Sequence, residues 1–179
     1  MIVSSTPIPG VFVIEPERLS DERGYFARTY CAREFAVRGL DPTVAQCSTS
    51  FNTRAGTLRG MHYQASPHAE AKLVRCVRGA IHDVVLDLRP ESPAYLRSHA
   101  VELSEENGRG LFIPVGCAHG FQTLRDRSEV YYQISVAYEP TAARGVRWDD
   151  PAFGIAWPNP PDGGRTMSQR DASYPDFDP

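Results

Sequence analysis

Short runs of Val, Ile, Leu, Tyr and Phe, interrupted by polar residues, recur along most of the chain, and Gly or Pro separates one run from the next. Runs of this kind, rich in β-branched and aromatic residues and bounded by turn-forming residues, are typical of β-strands. Such a chain favours a sandwich or barrel that closes on itself. The pattern predicts strands at Val11–Glu15, Tyr25–Tyr30, Val44–Phe51, Thr57–Gln64, Lys72–Arg78, Ala80–Leu88, Ser98–Leu103, Gly110–Pro114, Gly120–Leu124, Glu129–Ser135 and Gly145–Trp148.

One segment has helical character. Ala32–Arg38 predicts a helix of about two turns, in which Phe35 faces the core and Gly39 ends the helix. The sequence contains no linker and no internal repeat, so we expect residues 1–179 to form a single all-β domain with short helices. The segment Pro158–Pro179 is rich in Pro, Gly and Asp, which is typical of a loose terminal segment, except that it carries Asp171 to Tyr174 within a motif.

Composition excludes several classes of protein. Nineteen Lys and Arg oppose 22 Asp and Glu, for a net charge of −3, and no basic stripe is present that could neutralise a nucleic-acid backbone. No apolar run approaches the about 20 residues of a membrane-spanning helix, and the N-terminal residues lack a signal-peptide pattern. We therefore expect a cytoplasmic protein that binds neither nucleic acid nor membranes. The cysteines lack CxxC spacing, which favours reduced thiols packed among strands: Cys31, Cys47, Cys76 and Cys117.

Two spaced motifs carry the candidate chemistry. Gly108-x5-Pro114-x-Gly116-x2-His119-x3-Thr123 resembles the second cupin motif, and Gly56-x5-His62-x-Gln64 followed by Lys72-x6-Gly79 resembles the first. Metal-binding cupins carry His-x-His and a later Glu in the first motif, whereas this chain has Gln64 and Lys72. A Lys ammonium offers three donors and no lone pair to a metal ion.

The remaining groups, two His and one cation facing a common cavity, suit a different reaction. They suit removal of a proton next to a carbonyl group, with positive charge stabilising the enolate oxygen. A metal-dependent cupin oxygenase or isomerase that uses His62 and His119 is an alternative, against which Gln64 and Lys72 argue.

Seven segments together resemble one known family. They are Asp21-x-Arg23-Gly24-Tyr25-Phe26, Leu58 to Gln64, Lys72 to Arg75, Asp83 to Arg89, Ala118 to Thr123, Arg144 to Pro151, and Ser168 to Asp171. With them, the chain closely resembles the dTDP-4-dehydrorhamnose 3,5-epimerase family along nearly its whole length. This resemblance implies a metal-free, cofactor-independent cupin jelly roll, a double-stranded β-helix, that works as a homodimer with exchanged N-terminal strands. It also implies epimerisation of a deoxythymidine-diphosphate 4-keto-6-deoxyhexose.

The resemblance also implies four catalytic residues. His62 is expected to remove the proton alpha to the C4 ketone, with Asp171 orienting its imidazole. Lys72 is expected to hold the C4 oxyanion, and Tyr132 to return a proton on the opposite face. A carboxylate in a polar tail is ordinarily solvated, and strand alternation sends Tyr131 and Tyr132 to opposite faces. The assignments of Asp171 and Tyr132 therefore depend on the resemblance.

The substrate-binding positions follow from the same matches. Arg23 and Arg59 are expected to grip the diphosphate, which suits a planar guanidinium. His119 is expected to contact the substrate, although a hydrogen-bonded core histidine is the structural alternative. The remaining matched positions are Phe26, Gln46, Ser48, Tyr138, which is expected to stack on the base, and Arg170.

The chain departs from the usual pattern of this family at Arg28, Ala143, Cys47-Ser48-Thr49 and Arg170. The nucleotide, the sugar and the number of inverted centres therefore stay open at this stage. One alternative is an epimerase that inverts only C3, and another is a non-catalytic nucleotide-sugar-binding cupin. Ketoisomerisation of the same sugar in a related barrel fits His62, Tyr132 and Asp171 less well than epimerisation does.

Overall fold

The computed structural model describes residues 1–161 and 163–178. Most of its regular structure is extended. The elements are β1 (Ile2–Ser5), β2 (Phe12–Glu15), β3 (Leu19–Asp21), β4 (Gly24–Phe26), α1 (Ala32–Val37), β5 (Gln46–Asn52), β6 (Leu58–Gln64), β7 (Lys72–Arg78), β8 (Ala80–Asp87), β9 (Ser98–Ser104), β10 (Gly110–Ile113), β11 (Cys117–Thr123), β12 (Ser128–Ile134), β13 (Ala143–Gly145) and α2 (Gln169–Ala172).

The strands form two large antiparallel sheets. One has the order β1-β2-β10-β7-β12-β5 and the other has the order β13-β6-β11-β8-β9, while β3 and β4 form a separate hairpin. From β5 to β8, and again from β10 to β13, successive strands alternate between the two sheets. This alternation is that of a jelly roll, so the prediction of an all-β, cupin-type jelly roll with short helices is confirmed.

The main hydrophobic core lies between the two sheets. Val74 and Val130 of the six-stranded sheet belong to the same buried cluster as Val85 and Phe121 of the five-stranded sheet, and each is at most 1% exposed. Burying one such side chain contributes about 1.5–3 kcal/mol to stability. The two sheets are therefore held face to face, and residues pointing inward at one end of the sandwich can share a cavity.

The predicted helix is present and packs against the six-stranded sheet. α1 buries Phe35, whose ring contacts Phe112 of β10 edge-on with centroids 5.8 Å apart. Tyr30 covers the other side of Phe35 at 5.0 Å. These three rings form the centre of a second core cluster, so α1 and the segment before it are anchored to the sheet.

Two of the predicted strands are partly wrong. Tyr25–Tyr30 was expected to be extended throughout, but β4 ends at Phe26, because its hairpin partner β3 has only three residues. Gly145–Trp148 is displaced, because β13 pairs with β6 only as far as Gly145 opposite His62. The other predicted strands are present and differ by a few residues at their ends.

Three short elements were not predicted. β1 is an edge strand, paired only with β2, and half of its residues are serine, so its sequence pattern is weak. β3 is exposed at every position. α2 lies within Pro158–Pro179, at the motif that was excepted from the loose segment. Its Ser168 caps the helix by accepting a hydrogen bond from the N–H of Asp171.

All four thiols are free. Cys76 in β7 and Cys117 in β11 are buried, and burial raises the pKa of each thiol to about 12. They therefore stay neutral near neutral pH and serve as small core residues. Cys31 is half-buried at the start of α1, and Cys47 is exposed on β5.

Among the described residues, no helix is both long and apolar enough to cross a membrane.

Candidate active site

The pairing of β6 with β11 brings two pairs of side chains to one cavity. His119 lies opposite His62, and Phe121 lies opposite Arg59, so β6 has one more residue than β11 between these two pairs. In a regular strand, residues three positions apart face opposite sides of the sheet. The extra residue is a β-bulge that reverses this alternation, and Arg59 and His62 therefore both line the cavity.

Two glycines make the bulge possible. Gly60 has a φ of +138°, and a Cβ added to it would lie 2.5 Å from the Cα of Gly120 on β11. A Cβ on Gly120 would lie 2.6 Å from the sulfur of Met61. Side chains at either position would separate the two strands, so the bulge that orients His62 requires glycine on both of them.

His62 and Asp171 form a His–carboxylate dyad. Nε2 of His62 lies 2.7 Å from Oδ1 of Asp171, and the N–H of Gly60 donates to Oδ2 at 3.3 Å. Burial acts to raise the pKa of Asp171. The hydrogen bond and charge of His62, with Gly60 and Ser168, outweigh burial and hold that pKa below its ordinary value. The carboxylate is therefore ionised at neutral pH and accepts a hydrogen bond from the imidazole.

His119 has a carboxylate partner of its own. Its Nε2 lies 2.7 Å from Oδ1 of Asp83, which is fully buried on β8. His119 is 5% exposed, yet its ring lines the cavity and stands edge-on to Tyr132, with centroids 6.1 Å apart. His119 is therefore a hydrogen-bonded buried histidine that also faces the cavity, and its contact with substrate stays a prediction.

Lys72 and Tyr132 reach the cavity from the opposite sheet. Lys72 begins β7 and is 6% exposed, and its Nζ lies 2.6 Å from Oε1 of Glu70. Burial raises the pKa of Tyr132, and the charge of Asp83 adds to this effect, although Arg59 and Ser50 oppose it. The Tyr132 hydroxyl is therefore protonated at neutral pH and is available as a proton donor.

The cavity between these residues has a volume of about 320 Å³. Its wall includes His62 and His119 from the five-stranded sheet, and Lys72 and Tyr132 from the six-stranded sheet. Three of the four predicted catalytic side chains, His62, Lys72 and Tyr132, thus line one cavity. The fourth, Asp171, contacts His62. A flat molecule lying between the two sheets would meet His62 on one face and Tyr132 on the other.

Several predicted binding residues lie at or beside this cavity. Ser48 and Arg59 line it, and Oδ1 of Asn52 orients Arg59 by accepting a 2.8 Å hydrogen bond from Nε. Arg170 and Tyr138 line an adjoining cavity of about 190 Å³, which His62 also borders. Gln46 accepts a hydrogen bond from the N–H of Tyr138 at 3.2 Å, so it contacts a predicted binding residue.

Arg23 and Phe26 are not brought to these cavities within one chain. Both lie on the β3–β4 hairpin, where the Arg23 side chain is 83% exposed and pairs with Asp21 at 2.6 Å. Phe26 is 70% exposed. The structure of one chain therefore does not join these two predicted binding residues to the other members of the site.

Sequence reasoning missed two carboxylates at the site, Glu70 and Asp83. Asp83 had a usable signal, since an acidic residue directly before the apolar run Val84–Leu86, within a predicted strand, needs a buried partner. The signal at Glu70 was weaker. Glu70 lies two residues before Lys72 and outside β7, so strand alternation does not indicate which way its side chain points. In residues 1–161 and 163–178, no group of three His, Cys, Asp or Glu side chains is placed to hold a metal ion.

A family model, a curated protein and a crystal structure that match this chain share one description. The family model for dTDP-4-dehydrorhamnose 3,5-epimerase matches residues 5–179. The dTDP-4-dehydrorhamnose 3,5-epimerase of Sinorhizobium fredii is 40% identical over 175 residues, which cover 98% of this chain and 89% of that protein. The crystal structure of dTDP-4-dehydrorhamnose 3,5-epimerase from Elizabethkingia anophelis matches with a TM-score of 0.94 at 34% identity, over 99% of this chain and 96% of that one.

A related enzyme with a narrower reaction is also similar. The crystal structure of a 3'-monoepimerase from Streptomyces bikiniensis in complex with dTDP-quinovose matches with a TM-score of 0.88 at 34% identity, over 97% of this chain and 86% of that one. Sequence identity, coverage and fold agree, and the chain therefore belongs to the dTDP-4-dehydrorhamnose 3,5-epimerase family of isomerases.

Proposed function

We propose that this chain epimerises a dTDP-linked 4-keto-6-deoxyhexose by removing and returning protons next to the C4 ketone. The observation that carries the proposal is the placement of the His62–Asp171 dyad on one wall of the cavity and Tyr132 on the opposite wall. A planar enolate between them would lose its proton to one side and gain a proton from the other. Loss of a proton from one face followed by gain of a proton on the other face inverts the carbon centre.

The dyad gives His62 the state that a base requires. Asp171 accepts from Nε2, so this nitrogen carries the proton and Nδ1 keeps the lone pair that can attack a C–H bond. As Nδ1 takes the proton, the imidazole becomes cationic, and the adjacent carboxylate stabilises it. Asp171 thus fixes the tautomer and stabilises the charge that develops during the reaction.

Lys72 supports the developing enolate. When the C–H bond alpha to the ketone breaks, its electron pair moves into the carbonyl group and negative charge collects on the C4 oxygen. An ammonium in a buried wall stabilises that charge more than it stabilises the neutral ketone. The carbonyl group of the substrate acidifies the C–H bond, so we expect the reaction to need no metal and no cofactor.

The experiment that tests this proposal is incubation with dTDP-4-keto-6-deoxyglucose in deuterium oxide, followed by proton NMR of H3 and H5. We expect both signals to disappear as the two centres exchange with solvent. Loss of H3 alone would identify a 3-epimerase, which the similarity to the 3'-monoepimerase supports as the second candidate. Retention of both signals would contradict epimerisation of this substrate and would favour another nucleotide sugar or a binding role.

We further propose that the whole chain acts as one cupin domain within a homodimer, in which each β3–β4 hairpin completes the partner's site. The hairpin supports this proposal because Leu19, Tyr25 and Phe26 are 69%, 55% and 70% exposed, an unusual density of exposed apolar side chains for three-residue strands. A second copy of the chain could cover them and receive Arg23.

Complementation tests the shared site. Arg23→Ala and His62→Ala should each be inactive alone, whereas co-expression of the two variants should restore activity. A random mixture forms one intact site in each heterodimer, so about a quarter of all sites should be active. Absence of complementation, or an active monomer in size-exclusion chromatography with light scattering, would contradict the shared site.

A further inference from the structure

The ion pair between Glu70 and Lys72 is buried beside the reaction cavity. Nζ of Lys72 lies 2.6 Å from Oε1 of Glu70, and the two side chains are only 7% and 10% exposed. Long charged side chains seldom sit this deep without a defined partner, because each loses its hydration. Glu70 thus stabilises the buried positive charge of Lys72 next to the cavity.

The pair also connects two cavities. Lys72 lines the 320 Å³ cavity with His119 and Tyr132, whereas Glu70 lines the adjoining 190 Å³ cavity. His62 borders both of them. The carboxylate therefore approaches the ammonium from the side of the second cavity and leaves the first one free for substrate.

We propose that Glu70 is a positioning residue that holds the Lys72 ammonium in place for the C4 oxygen. The ammonium has three N–H donors on a flexible four-carbon stem. One donor is directed to Glu70, and this contact fixes the nitrogen while two donors stay available for an oxyanion in the cavity. The inference rests on the proposed function, since Lys72 needs a fixed position only if an enolate forms.

Glu70 has two opposing effects on the reaction rate, and the larger one decides whether removing its carboxylate lowers or raises that rate. Its negative charge weakens the field of Lys72 at the substrate oxygen, but its contact keeps Lys72 in a single position. A displacement of about 1 Å in a catalytic group can lower a rate by about 10²-fold. We therefore expect the loss of positioning to outweigh the gain in field when the carboxylate is removed.

The test is a double-mutant cycle with Glu70→Gln, Lys72→Met and the double variant, measured by solvent exchange and product formation. Glu70→Gln keeps the shape of the side chain and should lower kcat by about 10- to 100-fold with less than about a 3-fold change in KM. In the Lys72→Met background, the same substitution should change kcat by less than about 2-fold, because its effect passes through the lysine.

Three results would overturn the inference: a kcat of Glu70→Gln within about 3-fold of the unsubstituted protein, a rise in KM alone, or an equal loss of kcat with and without Lys72. If Glu70→Gln fails to fold, Glu70→Asp replaces it in the same cycle, since it keeps the charge and moves it by one methylene. Glu91→Gln, at an exposed position after β8, is the matched control and should leave kcat unchanged. Absence of exchange in the unsubstituted protein would count against the proposed function instead.

Discussion

Replacement of His62 by Ala is expected to abolish deuterium exchange at both carbons next to the ketone and to lower product formation by at least about 10³-fold. A positioned general base contributes about 10²–10⁴-fold to a proton transfer. His62 is the only imidazole of the described residues that both lines the cavity and contacts Asp171, so its removal leaves the dyad without a base. Proton NMR in deuterium oxide measures exchange and product in the same sample.

His68→Ala provides the matched control for His62→Ala. His68 is exposed in the loop after β6, and the hydrogen bonds that it makes within the described residues use its backbone: its carbonyl accepts from Gln64, and its N–H donates to the carbonyl of Ala65. Its replacement should therefore leave exchange and turnover unchanged. Exchange at the unsubstituted rate in His62→Ala would show that another group removes the proton, and His119 would be the first to examine.

Replacement of Tyr132 by Phe is expected to separate exchange from inversion. His62 can still remove a proton, and it can return a deuteron to the same face of the enolate, so deuterium should enter the substrate with its configuration retained. The hydroxyl on the opposite wall is lost, and product should fall by about 10²–10³-fold. The ratio of deuterated substrate to epimerised product in the NMR spectrum measures this separation.

Tyr131→Phe tests whether the effect belongs to the cavity. Tyr131 is adjacent on β12, but strand alternation directs its side chain to the other face of the sheet. This variant should keep both exchange and inversion. Equal losses of exchange and product in Tyr132→Phe would contradict a role limited to reprotonation and would indicate that Tyr132 also supports proton removal.

The parts of the site that could be predicted are those fixed by short-range spacing. His62 and His119 each lie in a strand whose apolar residues and turns are visible in the sequence, and the structure pairs them directly across β6 and β11. Lys72 was recognisable because it stands where a metal-binding cupin has a carboxylate. Their catalytic roles remain predictions until the variants are measured.

The parts that could not be predicted depend on contacts between distant segments. A carboxylate such as Glu70 or Asp83 does not reveal in sequence which buried cation or imidazole it will meet. The bulge at Gly60 also could not be predicted, because the alternation of side chains in a strand has a period of two residues. One extra residue turns every later side chain to the opposite face of the sheet. The strand predicted at Tyr25–Tyr30 was too long for a related reason, since a hairpin with a three-residue partner cannot pair further.

The dyad also determines when the protein can begin to work during its own synthesis. Asp171 follows His62 by 109 positions, and every strand of both sheets precedes it in the chain. Domains generally fold as units during synthesis, so the segment that carries Asp171 has to be made before the domain is complete. A nascent chain that has emerged through β13 already contains His62, Lys72 and Tyr132, but its imidazole lacks the carboxylate that orients it. On the proposed mechanism, epimerisation therefore begins only after translation has passed Asp171.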